Sequence, residues 1–127
     1  IEVFFDANST VGVEADRAMF TLIVSNLIDN ALSFSSRGSS IQIEVQKSLS
    51  VISLSVRDHG PGFPEEDKDR IFERFYKSEQ SRATDGAGLG LAIVKHAVRT
   101  HGGTVQAENA LDGGAIFTVR LPHRYNK

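Results

Sequence analysis

Three glycines, Gly86, Gly88 and Gly90, stand at alternate positions in DGAGLGLAIVKHAV and run straight into an apolar helical pattern. The first turn of a helix carries unpaired N–H groups and the positive end of the backbone dipole. Glycines let an anion reach those groups, so a phosphate suits this stretch. It is not the dinucleotide fingerprint, because Leu91 stands where the third glycine belongs and a polar loop precedes it in place of a strand. G-x-x-x-x-G-K-[ST] occurs nowhere in the chain. Taken alone, the triplet also fits a tight helix-packing turn.

A second set lies in SNLIDNALSF, where Asn26, Asn30 and Phe34 recur every four residues and share one helix face. Two carboxamide oxygens on one face suit a hard cation such as Mg²⁺, which takes oxygen ligands and shares few protein groups with substrate phosphates. Asn30 is the preferred ligand, although a solvated polar stripe fits the two amides equally well and Phe34 alone reads as core. In VRDHGPGF, strand parity puts Asp58 on the side of Ile52, Leu54 and Val56, so a carboxylate ends an apolar row. A buried charge needs donors, and an exocyclic amine with a bridging water supplies them. Gly60 and Gly62 then let the backbone approach a flat ligand, while a simple D-x-G turn is the plainer reading. In RIFERFYK, Phe72 and Phe75 anchor the base of a loop with Tyr76 and Lys77 at its entrance. Lys77 fits a phosphate contact or a solvated charge.

The elements that must position these groups follow from periodicity. IEVFFD reads as a strand, and Met19, Ile23, Leu27, Ala31 and Phe34 mark a helix of about five turns from Asp16. Ile41, Ile43, Val45 and Ile52, Leu54, Val56 alternate with polar residues as a hairpin with one wet face. PEEDKDRIFERFY predicts a short helix, Lys77 to Asp85 a polar loop, Gly88 to His101 a second long helix closed by HGG, and TVQAE with AIFTVRLP a last strand pair. This order predicts an α+β fold: a two-layer α/β sandwich, a mixed, mostly antiparallel sheet with helices on one face.

Composition sets the outer limits. The 127 residues suit one domain spanning 1–127, 40% hydrophobic and 24% charged. With 14 basic and 16 acidic residues the net charge is -2, so no general field draws nucleic acid or anionic lipid. No apolar run approaches the roughly 20 residues of a membrane span. Zero cysteines remove thiol chemistry and fit a reducing compartment. The opening at Ile1 within a strand pattern is expected of a piece excised from a longer protein.

With these clusters in this order, nearly the whole chain resembles the catalytic, ATP-binding domain of sensor histidine kinases, in the Bergerat-fold ATPase group. NLIDNA is similar to that family's N box, DHGPGF to its G1 box, IFERFYK to its F box, GAGLGLAI to its G2 box and GGAIFTVRLP to its closing strand. The resemblance implies ATP and Mg²⁺ as ligands, with Asp58 reading the adenine amine and Asn30 holding the metal beside Asn26. Phe34, Gly60, Gly62 and Phe63 would surround the base, with Thr118 of the closing strand also at the nucleotide. Lys77 to Asp85 would form a lid, reaching to about residue 87. Tyr76 and Lys77 would stand at its entrance, and Gly86, Ala87, Gly88, Leu89 and Gly90 at the phosphates.

Ser33 stands where the family usually has a basic phosphate contact, so that contact is expected to be weakened here or moved to Lys77 or Arg82. None of His59, His96, His101 and His123 has the context of a phosphoacceptor. Hydrolysing relatives of the topoisomerase and mismatch-repair kind carry Glu at the position of Asn26, and an amide cannot take a proton from water. The expected function is therefore to supply the γ-phosphate for autophosphorylation of a His on a separate dimerisation domain, with a response regulator served indirectly. Such a domain would work in the cytoplasm, its parent being an inner-membrane receptor. The alternatives are an anti-sigma-factor-type serine kinase, a nucleotide-sensing binding module or a hydrolysing ATPase.

Overall fold

Alternation of apolar and polar residues builds the sheet, and helical spacing supplies the layer that covers it. The structure is a computed structural model and describes residues 2–7, 17–35, 38–48, 50–73 and 90–122. Its elements are β1 (Glu2–Ala7), α1 (Arg17–Phe34), β2 (Ser40–Lys47), β3 (Val51–Arg57), α2 (Gly90–Thr100), β4 (Thr104–Asn109) and β5 (Ala115–Pro122). The strands form one sheet in the order β1-β2-β3-β5-β4. β1 is parallel to β2 and the other pairs are antiparallel. A parallel pair needs a crossover, and α1 supplies it.

Register brings the apolar residues into cross-strand contact. Ile43 lies opposite Val56 and Val45 opposite Leu54, while Leu54 and Val56 face Val119 and Phe117 on their other side. The same face receives Ile23, Leu27 and Ala31 from α1 and Val94, Ala97 and Val98 from α2 in one buried cluster. Gln42, Glu44, Gln46 and Arg120 occupy the opposite, exposed face. Each fully buried Leu, Ile or Val side chain contributes about 1.5–3 kcal/mol by leaving water.

The expected helix from Pro64 does not form over its described part. Glu65–Asp67 makes one 3-10 turn with Pro64 as its extended N-cap, and turns continue to Phe72. Most of its bonds, such as Asp67 N–H to Pro64 O (2.9 Å) and Arg70 N–H to Asp67 O (2.8 Å), reach back three residues, and Ile71 N–H to Asp67 O (3.1 Å) reaches four. Ile71 and Phe72 still bury as the spacing predicts, with the Phe72 ring edge-on to Phe117 at 6.2 Å.

α2 ends where HGG predicts a stop. Gly103 N–H donates to Val98 O (2.9 Å) and Gly102 N–H to Arg99 O (3.0 Å), the paired bonds of a Schellman cap, with Gly102 at φ 75°. A methyl at Gly102 meets only Pro122 at ordinary contact distance, whereas one at Gly103 overlaps the backbone carbonyl of Arg120. Gly102→Ala is therefore expected to cost about 1–2 kcal/mol from the left-handed backbone alone, and Gly103→Ala more than that. Urea unfolding midpoints check the order, and equal losses contradict the steric assignment.

Candidate functional site

The polar face of α1 lies between the start of α2 and the turn after β3. Asn26 Nδ2 donates to Leu22 O one turn back (2.8 Å), and its Oδ1 lies 3.3 Å from where a side chain on Gly90 would begin. The amide oxygen thus faces the first residue of α2. At the other end of α1, a side chain on Gly60 would overlap the Phe34 carbonyl, so the β3 turn rests directly on the helix terminus. Asn30 lies between these contacts. Its Nδ2 is buried with no hydrogen-bond partner among the described residues.

A buried donor left unmade costs about 1–3 kcal/mol. The Asn30 amide therefore calls for an acceptor, and a phosphate oxygen meets that need. Among the described residues no group of three His, Cys, Asp or Glu is gathered for a metal. A cation at this place would rely on amide oxygen together with ligand phosphates, which fits Mg²⁺.

Asp58 is 2% exposed and is the buried charged residue among those described. Gly60 N–H (2.9 Å) and Ala115 N–H (3.2 Å) both donate to its Oδ1. Among the described residues Oδ2 receives no donor, which leaves it to accept from a ligand. Burial pushes this carboxyl above its usual value, opposed by the two backbone donors and then by the charges of His59 and Arg57. The Asp58 N–H also donates to Ala115 O (3.0 Å), extending the β3–β5 ladder to the carboxylate.

Two glycines of the β3 turn make room for neighbouring protein groups. The space beside Gly60 is filled by the Phe34 carbonyl and that beside Gly62, at φ 76°, by the Asn109 amide. These glycines admit the protein's own groups. Two residues that sequence reasoning missed complete the turn. Asn109 accepts from Phe63 N–H (3.0 Å) and donates to Phe63 O (2.8 Å) and Glu65 Oε1 (3.0 Å). Gly114, at φ 89°, leaves room for the Asp58 carbonyl. The paired glycines of DGGAIF were the available signal for the second; nothing local marks the first.

Thr118 requires a correction. Ala115, Phe117 and Val119 point into the core, so Thr118 lies on the opposite face of the sheet from Asp58 and does not join this cluster. Ser33 Oγ donates to Asp29 O (2.9 Å) on its own helix. His59 Nδ1 is bonded to Ser40 O (2.8 Å) and His101 Nδ1 to Ala97 O (3.0 Å). Phe63 sits at the turn's end, half-buried. Tyr76, Lys77, Arg82, Gly86, Ala87, Gly88, Leu89, His123 and the expected lid lie outside the described residues. A separate cleft of about 420 Å³, lined by Lys68, Phe72, Lys95, Arg99 and β4, contains none of the expected site residues.

Residues 15–125 match the model of the histidine kinase-, DNA gyrase B- and HSP90-like ATPases. The chain belongs to that family. Among its relatives, the sensor-like histidine kinase SenX3 of Mycobacterium tuberculosis is 41% identical over 124 residues, 96% of this chain and 30% of SenX3. The chain thus spans less than a third of that relative's length. The solved mycobacterial sensor histidine kinase MprB is 32% identical with a TM-score of 0.84, over 98% of this chain and 86% of that one. Full-length ShkA, solved in complex with AMPPNP, is 30% identical with a TM-score of 0.84, over 98% of this chain and 26% of that one. The solved MprB and ShkA structures share this chain's two-layer fold, and among the described residues no helix is long and apolar enough to cross a membrane.

The raised Asp58 carboxyl yields a pH test. The folded state holds this proton to higher pH than the unfolded chain, whose carboxyl titrates near 3.8. Stability contributed by this group is therefore lost as pH rises from that value through the folded one. Asp58→Asn keeps an oxygen for the Gly60 and Ala115 donors and abolishes the titration. Its stability relative to the wild type is expected to climb across that window and then level off. Denaturant unfolding at a series of pH values checks this, and a difference that is flat with pH contradicts the buried-charge assignment.

Proposed function

We propose that residues 1–127 form the ATP-binding catalytic domain of a sensor histidine kinase, which delivers the γ-phosphate of Mg-ATP to a histidine on a dimerisation domain outside this chain. The observation that carries the reading is the meeting of three distant segments: Asn26 against Gly90, and Phe34 against the Asp58 turn. That arrangement supports a ligand with a flat amine-bearing end and an anionic end. The relatives named above are sensor histidine kinases, which favours this reading over a serine kinase or a free-standing sensing module.

Asp58 Oδ2 accepts from the adenine amine while Oδ1 is held by backbone. The start of α2 at Gly90 would offer N–H groups to the phosphates. Asn30 would hold Mg²⁺, whose charge would offset the negative charge of the transferring phosphoryl group. Asn26, an amide, cannot act as a base on water, so the nucleotide is kept for an outside nucleophile. The work of such a site is positioning and charge neutralisation. Within this proposal Lys77 to about residue 87 closes over the nucleotide, the domain works in the cytoplasm, and a response regulator receives the phosphoryl group downstream.

Titration calorimetry of the chain with ATP, with and without Mg²⁺, tests the reading. Losing a hydrogen bond to a charged group costs about 1.5–3 kcal/mol, so Asp58→Asn is expected to weaken ATP by roughly 10- to 100-fold. Asn30→Ala is expected to abolish the strengthening by Mg²⁺. Unchanged affinity in the first variant, or undiminished Mg²⁺ dependence in the second, contradicts the corresponding role.

A further inference from the structure

We propose that Asn109 is a positioning residue for the nucleotide base, a role that rests on the nucleotide reading above. Asp58 can accept an amine correctly only if its carboxylate is held, and its two holders come from different segments: Gly60 in the turn and Ala115 at the start of β5. Asn109 pairs with the second and is bonded to the far end of the turn that carries the first. As the last residue of β4 it pairs in register with Ala115. Its side chain forms a two-point bridge with the Phe63 peptide, accepting from the N–H and donating to the carbonyl, and its second amide hydrogen reaches Glu65 Oε1.

One side chain therefore ties the far end of the Gly60–Phe63 turn to the strand end that holds Asp58. The fit is specific to an amide of this length. A side chain at Gly62 would overlap Asn109 Oδ1, so the glycine and the amide are matched in shape. A carboxylate in place of the amide keeps the acceptor, loses both donors and sets a like charge beside Glu65. Serine is too short to span both groups of the Phe63 peptide, and alanine supplies neither.

The test uses Asn109→Asp, which is close to isosteric, and Asn109→Ala, with two readouts. Amide hydrogen exchange is expected to quicken at Phe63 and Gly60 while Val98 and Val119 in the core keep their protection. In calorimetry the Kd for Mg-ATP is expected to rise about tenfold, the size expected for lost hydrogen bonds. The preference for ATP over GTP should shrink, because the loss falls on the base. Equal losses for ATP and GTP with exchange quickened throughout would mean a general structural role and overturn the proposal. So would unchanged ATP affinity, whether or not Phe63 loosens. If the wild-type chain binds no ATP, the nucleotide reading itself fails and this role falls with it. That result is distinct from variants that bind as tightly as the wild type.

Discussion

A carboxylate withdrawn from water at the end of an apolar strand face constrains everything around it. Asp58 continues the row of Ile52, Leu54 and Val56 and is nearly as buried as they are. Such a group persists only where donors are fixed in place, since burial otherwise forces it to hold its proton. Two backbone N–H groups do this on one oxygen, and both depend on close chain approaches that glycines permit. Gly60 lets the turn settle on the end of α1, and Gly114 lets β5 begin against the Asp58 carbonyl. The half-satisfied carboxylate that results is costly for stability, and in the proposed reading its second oxygen is left to the adenine amine.

The same helix serves the core and the site. Ile23, Leu27 and Ala31 press one face of α1 into the sheet. Asn26, Asn30 and Phe34 occupy a neighbouring stripe, so packing that fixes the apolar face also fixes the amides. Outside the site, the Arg57–Asp112 ion pair links the end of β3 to the β4–β5 turn across the sheet's open face. Together with the Asn109 bridge it connects that hairpin to both sides of Asp58. Family membership rests on the match over residues 15–125, and in the proposed reading strand ends, rather than strand centres, border the nucleotide.

The parts of this arrangement governed by local periodicity were legible in the sequence. Strand parity alone placed Asp58 in the interior, and four-residue spacing placed Asn26 and Asn30 on one face. The same parity, applied to AIFTVRLP, sends Thr118 to the other face; the family resemblance overrode it, and the buried Phe117 and Val119 decide the matter. Pro64 followed by acidic residues is a fair helix start, yet these residues form a 3-10 turn, and local propensity does not distinguish the two. Asn109 was not legible because its partners lie 46 and 44 residues away and only the folded sheet brings them together. The glycines of the G1-like stretch were recognisable as necessary, but what fills the space beside them is a tertiary fact.

The most direct measurement is a ¹H–¹⁵N correlation titration of the chain with Mg-AMPPNP. The largest shifts are expected on Asn26, Asn30, Phe34, the Asp58–Phe63 turn, Gly90 and Ala115. Shifts gathered instead around Lys68, Lys95, Arg99 and β4, the lining of the separate cleft, would contradict it.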